Sequence, residues 1–129
     1  MTDTRPRLTP NAEHPITLGP SHTHVVVSVG STVIAETDRA LEMHEASYPP
    51  VLYIPLDDVD RSLLSTSDEH TYCPYKGEAS YFDLTVGEAD SRTASVWYYP
   101  DPYPAVADIA GHVAFYPDRV SIESKSADR

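Results

Sequence analysis

The chain contains few of the residues that crosslink small folds or bind soft metals, with one cysteine and six histidines in 129 residues. A single thiol cannot form an internal disulfide, and it cannot supply a four-thiolate zinc site. A domain of this length buries roughly two-thirds of its unfolded surface, so a core can form without either. We therefore expect a single domain with no metal and no cofactor, in the reducing cytoplasm.

Long apolar runs and an excess of positive charge are also lacking. No segment approaches the ~20 apolar residues of a membrane span, and the charged, proline-containing start does not resemble a signal peptide. Twenty acidic residues against nine basic ones give a net charge of -11, which repels phosphate backbones and anionic lipid. We expect a soluble protein that binds neither nucleic acid nor membrane.

Common catalytic and metal-binding motifs are missing. There is no phosphate-binding glycine loop, no Gly-X-Ser-X-Gly elbow and no His-Glu-X-X-His. The pair His22 and His24 and the carboxylates of Asp57, Asp58 and Asp60 could hold a cation in principle. The histidines lie at the edge of a flexible arm and the carboxylates are better explained as caps of a helical turn, so no metal site is predicted.

Proline placement divides the chain. Pro6, Pro10, Pro15 and Pro20 interrupt a segment with little apolar periodicity, which predicts a flexible arm over residues 1–22. Residues 124–129 are expected to be a disordered tail. A single β domain over residues 23–123 is the simplest partition, and the twelve prolines limit its helix content.

Strand patterns dominate this body. Two β-branched runs, 24–29 and 32–36, flank Gly30-Ser31 and predict a hairpin. In a further run, alternation predicts that Phe82, Leu84 and Val86 face the core. The other predicted strands cover residues 51–54, 79–86, 94–99, 112–116 and 120–122.

Three segments carry helical signals. Residues 37–46 contain good helix formers but also alternate like a strand, and both alternatives stay open. Residues 55–64 and 104–111 predict single helical turns, each with a proline near its start. The predicted class is therefore mainly β, with several small antiparallel sheets and short helical turns.

The segment Cys73-Pro-Tyr-Lys-Gly77 is the strongest candidate for chemistry. Its proline and glycine predict a rigid bend that presents Tyr75 and Lys76. An ammonium or imidazolium nearby lowers the pKa of a thiol, so Lys76 and His70 are candidate activators of Cys73 as a nucleophile. The alternative is a half-buried cysteine that packs as a small hydrophobic residue.

A second cluster, Trp97-Tyr-Tyr-Pro-Asp-Pro-Tyr-Pro104, is rich in aromatic residues. Alternation places Trp97 and Tyr99 on one face, where they would wall a pocket for a flat ligand or simply pack in the core. Near the end of the chain, Arg119 is a candidate anion clamp or a solvated turn residue.

Taken in order, these motifs resemble the domain of unknown function 427 family over about residues 24–122. The resemblance rests on Cys73-Pro-Tyr-Lys-Gly77 with Ala79 and Tyr81, Trp97-Tyr-Tyr-Pro100, 109–117, 33–36 and 50–55. It implies an architecture similar to the Mss4-like, or β-tent, folds, which are built from small, strongly coiled antiparallel sheets. The zinc thiolates of related folds are missing here, and no residue supports a nucleotidyltransferase activity.

The leading hypothesis is a domain that binds a small planar or anionic metabolite. Its groove would lie near the Cys73 turn and be lined by Tyr75, Lys76, Trp97 and Tyr99, with Arg119 as a further contact. The alternatives are a cysteine-dependent enzyme acting on small molecules and a homo-oligomeric interaction module, whose exposed tyrosines and prolines would form a homodimer or a face for another partner.

Overall fold

A computed structural model describes residues 5–86 and 90–126 of the chain. These residues form ten β-strands and three short 3₁₀ segments. The strands are β1 (Ile16–Pro20), β2 (Thr23–Val29), β3 (Thr32–Thr37), β4 (Leu41–Glu45), β5 (Val51–Pro55), β6 (Leu64–Cys73), β7 (Gly77–Val86), β8 (Asp90–Tyr98), β9 (His112–Phe115) and β10 (Ser121–Ser126). The 3₁₀ segments are Leu56–Asp58, Arg61–Leu63 and Pro104–Ile109.

The strands form two antiparallel sheets. The larger has seven strands in the order β1-β4-β5-β9-β8-β7-β6, and the smaller has three in the order β10-β2-β3. The predicted mainly β class with short helical turns is thus confirmed, although the strands are collected in two sheets. No helix among the described residues is long and apolar enough to cross a membrane.

The hairpin predicted around Gly30 is confirmed as β2 and β3. Gly30 has a φ of +58°, a conformation that glycine adopts without the steric cost of a Cβ. The open question over residues 37–46 is answered in favour of a strand, because Leu41–Glu45 form β4 between β1 and β5. Its neighbours supply the ladder hydrogen bonds, which outweigh the local helix preference.

Two strands lie where none was predicted. β1 falls in residues assigned to the arm, and it pairs with β4 from Ile16 opposite Glu45 to Pro20 opposite Leu41. β6 runs for ten residues along the edge of the large sheet. At the other end of the chain, β10 continues to Ser126, so strand structure also enters the segment assigned to the tail.

Both faces of the large sheet are covered, since neighbouring residues on its strands belong to different apolar clusters. Ile54, Val96 and Phe115 join the cluster that packs against the small sheet. Their neighbours Tyr53 and Ala114 belong to a second cluster on the opposite face, which includes the 3₁₀ segment 104–109. This alternation follows from the two-residue period of a strand.

The predicted core face of β7 is confirmed. Leu84 is fully buried in the first cluster, and Phe82 and Val86 pack against the same cluster. Tyr81, on the other face of the strand, is also buried, in the second cluster. Aromatic side chains of this strand therefore pack on both faces of the large sheet.

Candidate functional site

The Cys73-Pro-Tyr-Lys-Gly77 segment is the tight turn that joins β6 to β7. Cys73 and Gly77 are paired at the end of the ladder, and the Lys76 backbone N–H donates to the Cys73 carbonyl at 3.2 Å. Gly77 has a φ of +112°, and a Cβ there would lie 3.3 Å from the Asp101 carbonyl oxygen. Tyr103 N–H also donates to the Lys76 carbonyl at 3.0 Å, so a bend lies where one was predicted and its backbone is hydrogen-bonded to a second segment.

The turn places the Lys76 side chain beside Glu45 and His14. Its Nζ donates to Glu45 Oε1, and both side chains are only 13 % exposed. The second carboxylate oxygen of Glu45 binds His14 Nε2 at 2.8 Å. One carboxylate thus joins the β6–β7 turn to the residues that precede β1.

The strand register explains this convergence. Glu45 lies opposite Ile16 at the end of the β1–β4 ladder, and Ala46 N–H donates to the Pro15 carbonyl at 2.8 Å. His14 therefore lies beside the carboxylate. Burial would raise the pKa of Glu45, but hydrogen bonds and charges from Lys76 and His14 outweigh burial and lower it below 4.5.

Tyr75 and Tyr99 complete the surroundings of this cluster. The ring of Tyr75 stacks on His14, with 4.0 Å between centroids and 4° between planes. Lys76 Nζ lies 6.0 Å from the ring centroid of Tyr99, at the outer limit of a cation–π contact. The structure therefore brings together three of the predicted ligand-binding residues, Tyr75, Lys76 and Tyr99.

Trp97 lies in an aromatic group on the same face of the large sheet. Its Nε1 donates to the Tyr53 hydroxyl at 3.3 Å, and its ring lies 4.5 Å from that of Tyr116. The Tyr116 hydroxyl lies 3.5 Å from the Tyr81 hydroxyl, which is itself 2.9 Å from Thr71 Oγ1. Trp97 and Cys73 pack against one buried cluster, whose members include Tyr53 and Tyr99.

Burial keeps the phenols of Tyr53, Tyr99 and Tyr116 un-ionised over a wide pH range. Desolvation raises the pKa of Tyr53 to about 12 against a smaller, opposing contribution from the Trp97 hydrogen bond. Burial also raises the pKa of Tyr99 and, together with its hydrogen bond to Tyr81, brings that of Tyr116 to about 12. These tyrosines act as neutral hydrogen-bonding and packing groups at physiological pH.

The candidate catalytic residues are directed to different partners. Cys73 is half-buried against the second apolar cluster. His70 lies three positions earlier on β6, so alternation places it on the other face, where Nδ1 is 3.3 Å from Ser80 Oγ. Lys76 is paired with Glu45. The structure does not bring His70 and Cys73 together on one face.

Arg119 is held against the edge of the aromatic group. Its Nη1 donates to the carbonyl oxygens of Thr93 and Ala94 at 2.8 and 3.2 Å. Its guanidinium carbon lies 5.1 Å from the centroid of the Tyr116 ring. These contacts fasten the segment before β10 to β8.

Trp97 lines an apolar pocket of ≈ 410 Å³, here called the Trp97 pocket. Side chains of both sheets contribute to it, together with the loop between β4 and β5. The lining residues are Tyr48, Pro49, Pro50, Val51, Leu52, Trp97, Phe115, Pro117 and Ile122. Of these residues only Trp97 was predicted as a ligand contact, because the wall comes from four separate segments of the chain that no local motif joins.

The weaker metal candidates make other contacts. His24 binds Asp38 Oδ1 at 2.6 Å through Nδ1 and Glu36 Oε2 at 2.7 Å through Nε2. Asp58 accepts hydrogen bonds from Thr37 and Arg39. The remaining two carboxylates also have partners: Asp57 pairs with Arg61, and Asp60 caps the following 3₁₀ segment through the Ser62 N–H and hydroxyl.

Comparison with known proteins gives one finding about the whole domain. The sequence model of a protein family described as a domain of unknown function, DUF427, matches residues 17–126. This range includes every strand except the first residue of β1. No curated protein matches the chain.

Proposed function

The chain belongs to the DUF427 family, and from its geometry we propose that it binds a small, planar, uncharged molecule in the Trp97 pocket. The observation that carries the proposal is the wall of the pocket, whose nine lining residues include three aromatic side chains and three prolines. A volume of ≈ 410 Å³ lies within the roughly 300–1,000 Å³ of small-molecule sites. Flat aromatic and pyrrolidine surfaces favour stacking with a flat ligand.

The charges of the surroundings favour an uncharged ligand over an anionic one. None of the nine lining residues carries a charge. The two cations that could have bound an anion have other partners, since Lys76 pairs with Glu45 and Arg119 donates to carbonyls of β8. A buried anion without a partner is strongly unfavourable.

The hydrogen-bonding groups of the pocket wall further restrict the chemical class of the ligand. Trp97 Nε1 already donates its one hydrogen to Tyr53, so the indole contributes apolar surface to the pocket. Tyr48 lines the pocket and is 64 % exposed, so its hydroxyl can serve one polar substituent of the ligand near solvent. A mostly hydrocarbon ring system with one hydroxyl or carbonyl group fits these surroundings.

Trp97 is the only tryptophan in the chain, so its fluorescence is a direct reporter. We expect uncharged two-ring and three-ring aromatic compounds to change Trp97 emission in a saturable way and to raise the melting temperature. Benzoate and short aliphatic carboxylates should do neither. If no uncharged compound changes either signal, the proposal is wrong.

A pair of valine variants locates the binding. Val51→Phe adds a ring inside the pocket and should lower the affinity at least tenfold. Val33→Phe adds the same ring on β3, where Val33 is 49 % exposed, and should leave the affinity unchanged. Equal effects of the two variants would place the ligand elsewhere.

The contacts of the turn give less support to a cysteine-dependent enzyme. Lys76 and His70, the two candidate activators of Cys73, contact Glu45 and Ser80 instead. Catalysis through an activated thiol needs a base or cation within hydrogen-bond reach of the sulfur. Binding in the Trp97 pocket requires no such group.

A further inference from the structure

The first described residues, which belong to no strand, lie against the β6–β7 hairpin. Leu8 N–H donates to the Pro74 carbonyl at 2.9 Å, and the Tyr72 hydroxyl donates to the Pro6 carbonyl at 2.6 Å. Arg5 also forms an ion pair with Glu78 at 3.5 Å. These contacts resemble those of a bound peptide, because they combine backbone groups and side chains of one short segment.

Two tyrosine rings receive the two arginines of this segment. The guanidinium carbon of Arg5 lies 4.1 Å from the Tyr72 ring centroid, and that of Arg7 lies 4.2 Å from the Tyr103 ring centroid. Both distances are well within the range of a cation–π contact. Each ring therefore binds one of two arginines that are two positions apart in the chain.

The separation of the rings matches the spacing of an extended chain. The centroids of Tyr72 and Tyr103 are 6.4 Å apart, with the ring planes at 75°. Residues at i and i+2 of an extended chain are separated by about 6–7 Å. Proline between the arginines has a fixed φ that is compatible with an extended chain, and its carbonyl accepts a hydrogen bond from the Tyr72 hydroxyl.

Hydrogen bonding fixes the geometry of the two rings. The Tyr72 and Tyr103 hydroxyl oxygens are 2.7 Å apart. Because a hydroxyl has one hydrogen and that of Tyr72 goes to Pro6, Tyr103 must be the donor to Tyr72. Tyr103 is anchored in turn by its N–H bond to the Lys76 carbonyl.

We propose that the surface formed by Tyr72, Tyr103, Pro74 and Glu78, here called the paired-tyrosine surface, recognises an extended Arg-Pro-Arg segment of a basic partner protein. The chain's own Arg5-Pro-Arg7 segment occupies it as an intramolecular competitor. The net charge of -11 attracts a basic partner, and Glu78 supplies a local negative charge beside the rings. This proposal is independent of ligand binding in the Trp97 pocket.

Binding of a labelled peptide tests the proposal in the full chain. The probe is a fluorescent peptide with the sequence of residues 2–12, measured by anisotropy. An Arg5→Gln, Arg7→Gln variant should bind it at least tenfold more tightly than the unmodified chain, because a tethered segment competes at a high effective concentration. Failure of the variant to bind the peptide would overturn the proposal.

Altered peptides test the spacing that carries the argument. A peptide with glutamine in place of both arginines, and one with a glycine inserted after the proline, should each bind at least tenfold more weakly. The second peptide keeps both charges but no longer matches the ring separation. Equal binding of the inserted peptide would reduce the interaction to nonspecific charge attraction and overturn the proposal.

Substitutions in the folded domain test whether the peptide binds at the paired-tyrosine surface. In the doubly substituted chain, Tyr72→Leu should abolish peptide binding, while Tyr72→Phe keeps the ring and should lose only part of it. Tyr48→Leu changes an exposed tyrosine outside the surface and should have no effect. Light scattering of the unmodified chain and of the doubly substituted chain is the final check. If the unmodified chain is a dimer and the doubly substituted chain is a monomer, the surface binds a second copy of this chain and the proposal is overturned.

Discussion

The half-buried carboxylate of Glu45 provides the sharpest test of how the site is held together. Glu45→Gln removes the charge that faces Lys76 and His14 while keeping the size of the side chain. Removing one partner of a buried ion pair costs about 3–5 kcal/mol. Because glutamine keeps one acceptor oxygen and both charged side chains are still 13 % exposed, we expect the lower end, about 3 kcal/mol.

Urea unfolding and thermal melting at pH 7 measure this loss. For a domain of this size, about 3 kcal/mol corresponds to a decrease of roughly 10 °C in Tm. Glu42→Gln is the matched control on the same strand, since Glu42 pairs with His44 at 3.2 Å and His44 is 56 % exposed. An exposed pair of this kind contributes about 0–1 kcal/mol.

The direction in which the stability loss of Glu45→Gln changes with pH follows from the pKa shift of Glu45. The pKa of Glu45 is lowered in the folded protein, so its contribution is complete above the unfolded pKa and disappears as the pH falls through the folded pKa. The stability difference between the unmodified chain and Glu45→Gln should therefore be full at pH 7 and shrink below about pH 4.5. If Glu45→Gln costs no more than Glu42→Gln at pH 7, the ion cluster does not hold the turn and our reasoning is wrong.

Two further predictions concern a backbone position and a histidine. Gly77→Ala should destabilise the fold by about 1–3 kcal/mol in urea unfolding, because φ is +112° there; Gly19→Ala, with no atom within 4 Å of its Cβ, should cost less than half as much. Hydrogen bonds to Asp38 and then Glu36 raise the pKa of His24 above 6.5, and its contribution to stability is thus lost as the pH rises through that raised value. In an NMR titration, Asp38→Asn should lower the His24 midpoint more than Glu36→Gln does, and an unchanged midpoint in Asp38→Asn would contradict the assigned contact.

The sequence predicted the strands that carry apolar alternation and missed those that do not. The hairpin of β2 and β3 and the strand containing Leu84 have a buried face, and the burial imposes a two-residue period. β6 has polar residues at most positions because it is an edge strand with an exposed pattern. β1 was not predicted because prolines precede and end it, and because its pairing with β4 is a tertiary contact that leaves no local pattern in the sequence.

The candidate site was predicted in the same uneven way. The turn at Cys73 is encoded locally by Pro74 and Gly77, so it could be recognised from the sequence. The partner of Lys76 could not, because Glu45 is 31 residues away and becomes adjacent only through the order of strands. The Trp97 pocket likewise depends on the approach of β10 to the large sheet, which no short motif encodes.

The polar composition of β6, which kept it from being predicted as a strand, also affects the tendency of the protein to aggregate. Among the described strands it has a neighbour on one side only, and the edge of a sheet can template the addition of a strand from another molecule. Asp68 and Glu69 are exposed on this strand, where the register shifts between Thr66 and His70. Charge and irregular pairing together discourage intermolecular strand addition, so replacing these acidic residues with valine should promote precipitation long before it alters folding.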